Sequence, residues 1–319
     1  LLALLSAAII VWLLARRDGN FSVIGLEGHV SSTLGSLLPA ICAGLTLAIA
    51  LVIVDVVGGP VVAVLTAIAL LLLPDFLPLH RTSLFGPPLL TLSVIMLAVM
   101  LAAPRFSLAY GTVAAVAVVW VSPAGLGMVV AAVGWALWQP PNGRGRAPRA
   151  WLALLPSALA VVIGRAKGSI WPTPLELGWR GGLDQVLAAI GRELSAQLVP
   201  AIENGALRWF MVADTTLVLL ALVVLGWQQS AAAASPARPR RFFPAAAILT
   251  GSLVVGLVTR SMLVRGAPLP DVETVLPLAV LLTLVVAVSA SLLWPRWRWW
   301  GKGIAVLLLL GWMGAAAAG

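Results

Sequence analysis

The sequence predicts an all-α polytopic integral membrane protein, a bundle of about eleven transmembrane helices in one membrane domain spanning residues 1–319. Two observations predict it. Hydrophobic residues make up 61% of the chain and charged residues 10%, where a soluble domain of this size carries about 25% charged residues. The apolar residues also come in continuous runs, such as Leu217 to Leu225, and not in the polar–apolar alternation of a membrane β-barrel. Runs approaching 20 residues satisfy their own backbone groups as helices in lipid.

The apolar runs are 1–15, 35–57, 60–73, 87–102, 107–122, 124–138, 151–165, 209–227, 244–259, 274–294 and 303–318. The first is read as a transmembrane helix and not a signal peptide, because Arg16 and Arg17 follow the apolar stretch instead of preceding it. A chain opening on Leu1 is expected to have residues upstream. Between 60 and 138 the turns are brief and marked by Gly58-Gly59-Pro60, Pro104-Arg105 and Ser122-Pro123-Ala124-Gly125. No close internal repeat is visible. Cys42, the single cysteine, lies inside an apolar run and reads as a small packed hydrophobe.

Charge in the short loops orients the bundle. Strict alternation puts the loops near Gly58 and Arg105, 139–150, 228–243 and 295–302 on one side. They hold ten basic residues against Asp55, so the whole net charge of +9 falls there. That side is expected in the cytoplasm, its basic residues setting topology and touching anionic lipid. The other loops hold ten basic and ten acidic residues, and include the two longest, 16–34 and 166–208, both expected outside. The expected location is the cytoplasmic (inner) membrane of a bacterium, in keeping with the Ala, Gly, Arg and Pro bias. Basic residues scattered through membrane-proximal loops do not point to nucleic acid. WPRWRWW, residues 294–300, reads as an interfacial aromatic belt with cation–π contacts.

Within 166–208, Leu183, Val186, Leu187, Ile190, Leu194 and Leu198 fall on one helical face, and Pro200 ends the run. This helix is expected along the membrane interface, or as the roof of a cavity.

The candidate chemistry lies on the external side. Asp18 follows the first helix, and Glu27 and His29 come later in the same loop. Asp75, His80 and Arg81 share the loop LLLPDFLPLHRTSLFGPPLL. Arg165, Lys167, Arg180, Arg260 and Arg265 add cations. Carboxylates beside arginines suit a general base and an anion clamp; taken singly, each residue also reads as a turn, capping or snorkelling side chain. Asp214, inside an apolar run, is costly at membrane depth and reads as a structural ion pair, with Arg208 or an arginine on another helix, or as a substrate ligand. Two histidines and one cysteine make a zinc or multi-haem site improbable. No cofactor is evident, and the sequence does not decide on a divalent metal.

Residues 60–138 resemble a known family. AIALLLLPDFLPLHRTSLFGPPLLTLSVIMLAVMLA, a short basic turn, and FSLAYGTVAAVAVVWVSPAGLGMVVAAVGWALW are similar to the central helices of GT-C membrane glycosyltransferases of the protein-mannosyltransferase type. Pro74, Phe76, Leu77 and Arg81 carry the first turn of that pattern, and Pro123, Ala124, Gly125 and Leu126 the second. The resemblance implies transfer of a sugar from a polyprenyl-phosphate donor on the external face of the cell envelope. Asp18 or Glu27 would be the base by position, and Arg81, Arg165, Lys167, Arg260 or Arg265 would hold the lipid phosphate. The first external loop has no adjacent acidic pair. A second reading is therefore a catalytically silent membrane subunit that scaffolds a larger complex with a membrane protein partner. A third is a transporter using Asp214 and Pro-broken helices, against which the missing repeat stands.

Overall fold

The computed structural model describes residues 32–76, 86–102, 111–114, 126–138, 182–198, 205–232, 237–263 and 269–297, with isolated helical positions between 151 and 162 and at 299 and 302. The described residues form eight α-helices and one 3-10 turn, and no strand. In chain order the helices are α1 (Ser32–Gly58), α2 (Pro60–Leu71), α3 (Gly86–Ala102), α4 (Leu126–Trp138), α5 (Leu183–Leu198), α6 (Gly205–Ala232), α7 (Ala237–Leu263) and α8 (Val272–Leu293). Four carry segments long and apolar enough to cross a membrane: Pro39–Gly58, Met211–Ser230, Arg241–Met262 and Val272–Arg296. Shorter apolar helices cover Pro60–Leu71, Pro87–Ala102 and Gly127–Trp138. The apolar runs at 1–15 and 303–318 lie outside the described residues.

Helix α8 is the axis of the bundle. It packs against α1, α2, α3, α5, α6 and α7, and 72% of its membrane-length window is buried, against 6% for α6. Its start is fixed by Asp271: the carboxylate accepts from the Thr274 N–H at 3.1 Å, and the Asp271 N–H donates to Thr274 Oγ1 at 3.1 Å, a reciprocal cap on the first turn. Pro277 lies inside the helix, as Pro39 does in α1 and Pro244 in α7. Packed neighbours make such prolines tolerable in membrane helices.

The helices approach through small residues. A Cβ built on Gly226 of α6 would lie 2.6 Å from Ser289 Cβ, and one on Gly58 of α1 would lie 2.5 Å from Ser291 Cβ. Both serines return their hydroxyls to the backbone of their own helix, Ser289 to Val285 at 2.8 Å and Ser291 to Ala287 at 2.7 Å. No polar hydrogen is thereby left facing the neighbour, and close van der Waals packing holds the pair, as in lipid it must. Gly59 joins α1 to α2 at φ 81°, a conformation that strains any other L-residue, and Pro60 opens α2 with its φ already set.

The amphipathic α5 runs from Leu183 to Leu198, the span its apolar face predicts. Only part of that face docks. Val186 and Ile190 pack with Leu257 and Met262 of α7 and Leu278 of α8, whereas Leu183 and Leu187 stay exposed. The docked stripe sits at the C-terminal end of α7 and the N-terminal half of α8. One end of the bundle therefore carries α5.

Trp294 closes α8 in a 3-10 turn to Arg296 and lies 6.2 Å from Trp297, ring centre to ring centre. Lys302 Nζ stands 5.4 Å from the centre of the Trp294 ring, a cation–π contact made by a lysine just beyond the 294–300 segment.

Candidate functional site

The most developed polar arrangement among the described residues joins α2 to α5. Helix α2 ends at Leu71, and the chain tightens into a turn in which the Leu72 N–H reaches Ile68 O at 3.0 Å and the Phe76 N–H reaches Leu73 O at 3.1 Å. Leu73 and Phe76 are buried in the main core, Phe76 completely, while Pro74 is exposed. This anchors the turn on both flanks of Asp75 and leaves its carboxylate half-buried at the bundle end. Gln197, in the last turn of α5, donates from Nε2 to Asp75 Oδ2. Its own carbonyl oxygen accepts from the Asp75 N–H at 3.4 Å. The amide thus grips both the side chain and the backbone of one residue.

Gln197 is only 1% exposed, although the sequence puts it among the polar positions of the helix. Its register shows why: it stands seven residues after Ile190 and eleven after Val186, on the docked stripe. That spacing was the available signal, and its polar side chain masked it.

At the same end, Arg260 sits in the last turn of α7 and is half-buried. It acts electrostatically on Glu273, which also lies in the field of Asp271. The described residues hold one ion pair, Arg192 with Glu193 at 3.2 Å on the exposed side of α5. Asp75 is therefore held by a neutral partner. No group of three or more His, Cys, Asp or Glu gathers among the described residues.

Asp214 lies elsewhere. It is exposed on α6, in line with Leu217, Val218, Ala221 and Leu225, which are exposed too. The side chain of Arg208, named as its structural ion-pair partner, lies outside the described residues, and no ion pair of Asp214 is found among those described. No hydrogen bond or ion pair joins Asp75, Arg260 and Asp214 to one another. Asp18, Glu27, His80, Arg81, Arg165, Lys167 and Arg265 lie outside the described residues.

Comparison with protein-family models, with curated proteins and with solved structures finds no match for this chain.

Proposed function

We propose that the chain is a GT-C-like membrane glycosyltransferase of about eleven spans in the cytoplasmic membrane of a bacterium. It transfers a sugar from a polyprenyl-phosphate donor at the external end, where α5 crosses the bundle. The resemblance of residues 60–138 supplies the reaction class. The supporting observation is the state of Asp75: a half-buried carboxylate at a helix exit, oriented by the Gln197 amide with no described cation pairing it. A base needs a fixed direction and a free charge, and a neutral amide partner supplies the first without spending the second. Asp18 and Glu27 are the other carboxylates proposed for this role. His80, Arg81, Arg165, Lys167 and Arg265 are proposed, with Arg260, to hold the donor phosphate. Asp214 falls outside this arrangement.

Purified protein in lipid vesicles, supplied with labelled polyprenyl-phosphate sugar, tests the reading. Asp75→Asn keeps a side chain able to bond Gln197 and removes the base, so transfer is expected to fall by about 10² or more. Transfer unchanged by Asp75→Asn, or no transfer by the wild type with any polyprenyl-phosphate sugar, overturns it. The second reading, a silent membrane subunit, is favoured by one observation. The Asp75–Gln197 contact also serves simply to fasten α5 to the bundle, a task that needs no substrate.

A further inference from the structure

We infer that the site works only with α5 seated: Gln197 is a positioning residue that turns the docking of α5 into the aiming of Asp75. The inference rests on the reading of Asp75 as the base. The two residues are held by different parts of the bundle. Asp75 stands in a turn whose flanks, Leu73 and Phe76, are buried in the main core. Gln197 belongs to α5, which is seated further back along its length, by Val186 and Ile190 against Leu257 and Met262 of α7 and Leu278 of α8. Ile190 precedes Gln197 by seven residues, about 10 Å along the helix axis.

The amide closes a ring on Asp75. Its Nε2 donates to Oδ2 and its Oε1 accepts from the Asp75 N–H at 3.4 Å, so the carboxylate is fixed against its own backbone. Oδ2 is taken by the amide, which leaves Oδ1 to meet a proton. The residues of a helix are tied turn to turn, so a tilt of α5 on α7 and α8 carries Gln197 with it. An amide buried to 1% exposure is costly without partners, and Gln197 therefore stays on Asp75 while α5 is seated. When α5 lifts, both bonds go together, and the carboxylate turns about its own torsions. Misplacement by about 1 Å can cost 10² in rate. Helix α5 is thus a strap whose seating switches the base on.

The test measures sugar transfer by the full chain in lipid vesicles, with labelled polyprenyl-phosphate sugar as the probe, in two variants that keep Asp75. Gln197→Met fills a similar space and removes both bonds. Ile190→Ala loosens the seat of α5 and touches neither Asp75 nor Gln197. Gln197→Met is expected to lower kcat by about 10² and Ile190→Ala by about tenfold, with the donor KM little changed. On an Asp75→Asn background neither change is expected to lower kcat further, because a residue that acts through the base then has nothing to aim. A further loss on that background, or kcat unchanged by either variant, overturns the inference and leaves Asp75 as the base. Amide exchange across 183–198 is expected to quicken in Ile190→Ala, and a fall in its kcat without faster exchange also overturns the inference. Transfer that survives Asp75→Asn removes the base itself, and this inference with it.

Discussion

Gln197 and Asp75 are 122 residues apart in the chain and joined twice, once through the carboxylate and once through the backbone N–H. This is the point at which the C-terminal end of α5 is fastened to α2, while Val186 and Ile190 hold the helix on α7 and α8. A hydrogen bond to a charged group contributes about 1.5–3 kcal/mol. A double-mutant cycle with Asp75→Ala and Gln197→Ala is expected to return a coupling energy in that range, about 2 kcal/mol. Amide exchange across 183–198 should quicken in either single variant. A coupling near zero would mean that apolar docking alone retains α5.

The glycines of the bundle divide by what faces them. A Cβ on Gly226 meets Ser289, whereas one on Gly134 or Gly251 meets nothing within 4 Å. Gly226→Ala is expected to cost about 1–3 kcal/mol by forcing α6 off α8. Gly251→Ala is expected to be neutral or to stabilise by up to about 1 kcal/mol, because alanine is the better helix former. Thermal unfolding of the two variants in one detergent checks the difference, and equal effects would sink the close-approach account.

Thr46 is fully buried in α1, and its hydroxyl has no hydrogen-bond partner among the described residues. Thr66, Thr91 and Thr283 each return theirs to a carbonyl four residues back, at 2.8, 2.9 and 2.9 Å. Thr46→Val replaces an unsatisfied hydroxyl by a methyl of similar size. It is expected to stabilise by about 1 kcal/mol, whereas Thr66→Val should be neutral or destabilising. Melting temperatures rank the two, and a loss on Thr46→Val would show that the hydroxyl has a partner after all.

Asp271→Ala removes the reciprocal cap of α8 and is expected to cost about 1 kcal/mol, with Asp271→Ser recovering most of it. Chemical denaturation of both variants checks this. Since α8 packs on six other helices, fraying at its start should also loosen α5, visible as faster exchange near Val186.

The helices were legible because apolar runs in lipid have few other ways to satisfy their backbones. The starts of α2, α3 and α5 fall within a residue or so of the positions that Pro60, Gly86-Pro87 and the Leu183 face mark out. Asp75 was legible as a candidate because Pro74 and the loop chemistry single it out. Gln197 was not, because a polar residue on a buried stripe looks like a surface residue until a partner is known. Leu183 and Leu187 erred the opposite way: hydrophobicity placed them on the docked face, but it is Val186 and Ile190 that pack on α7 and α8, and these two leucines stay exposed. Asp214 was recognisable as costly, yet its outward direction depends on which face of α6 meets Ser289.

The central position of α8 has a consequence for biogenesis. The helix that α1, α2, α3, α6 and α7 all lean on is synthesised after every one of them. Until Leu293 has left the ribosome, the earlier spans wait in the bilayer with their small-residue faces unmatched, Gly58 and Gly226 among them. Among the described helices the bundle closes late, around α8, so a chain interrupted in the loop before Asp271 is an assembly intermediate open to quality-control proteases and not a smaller version of the same protein.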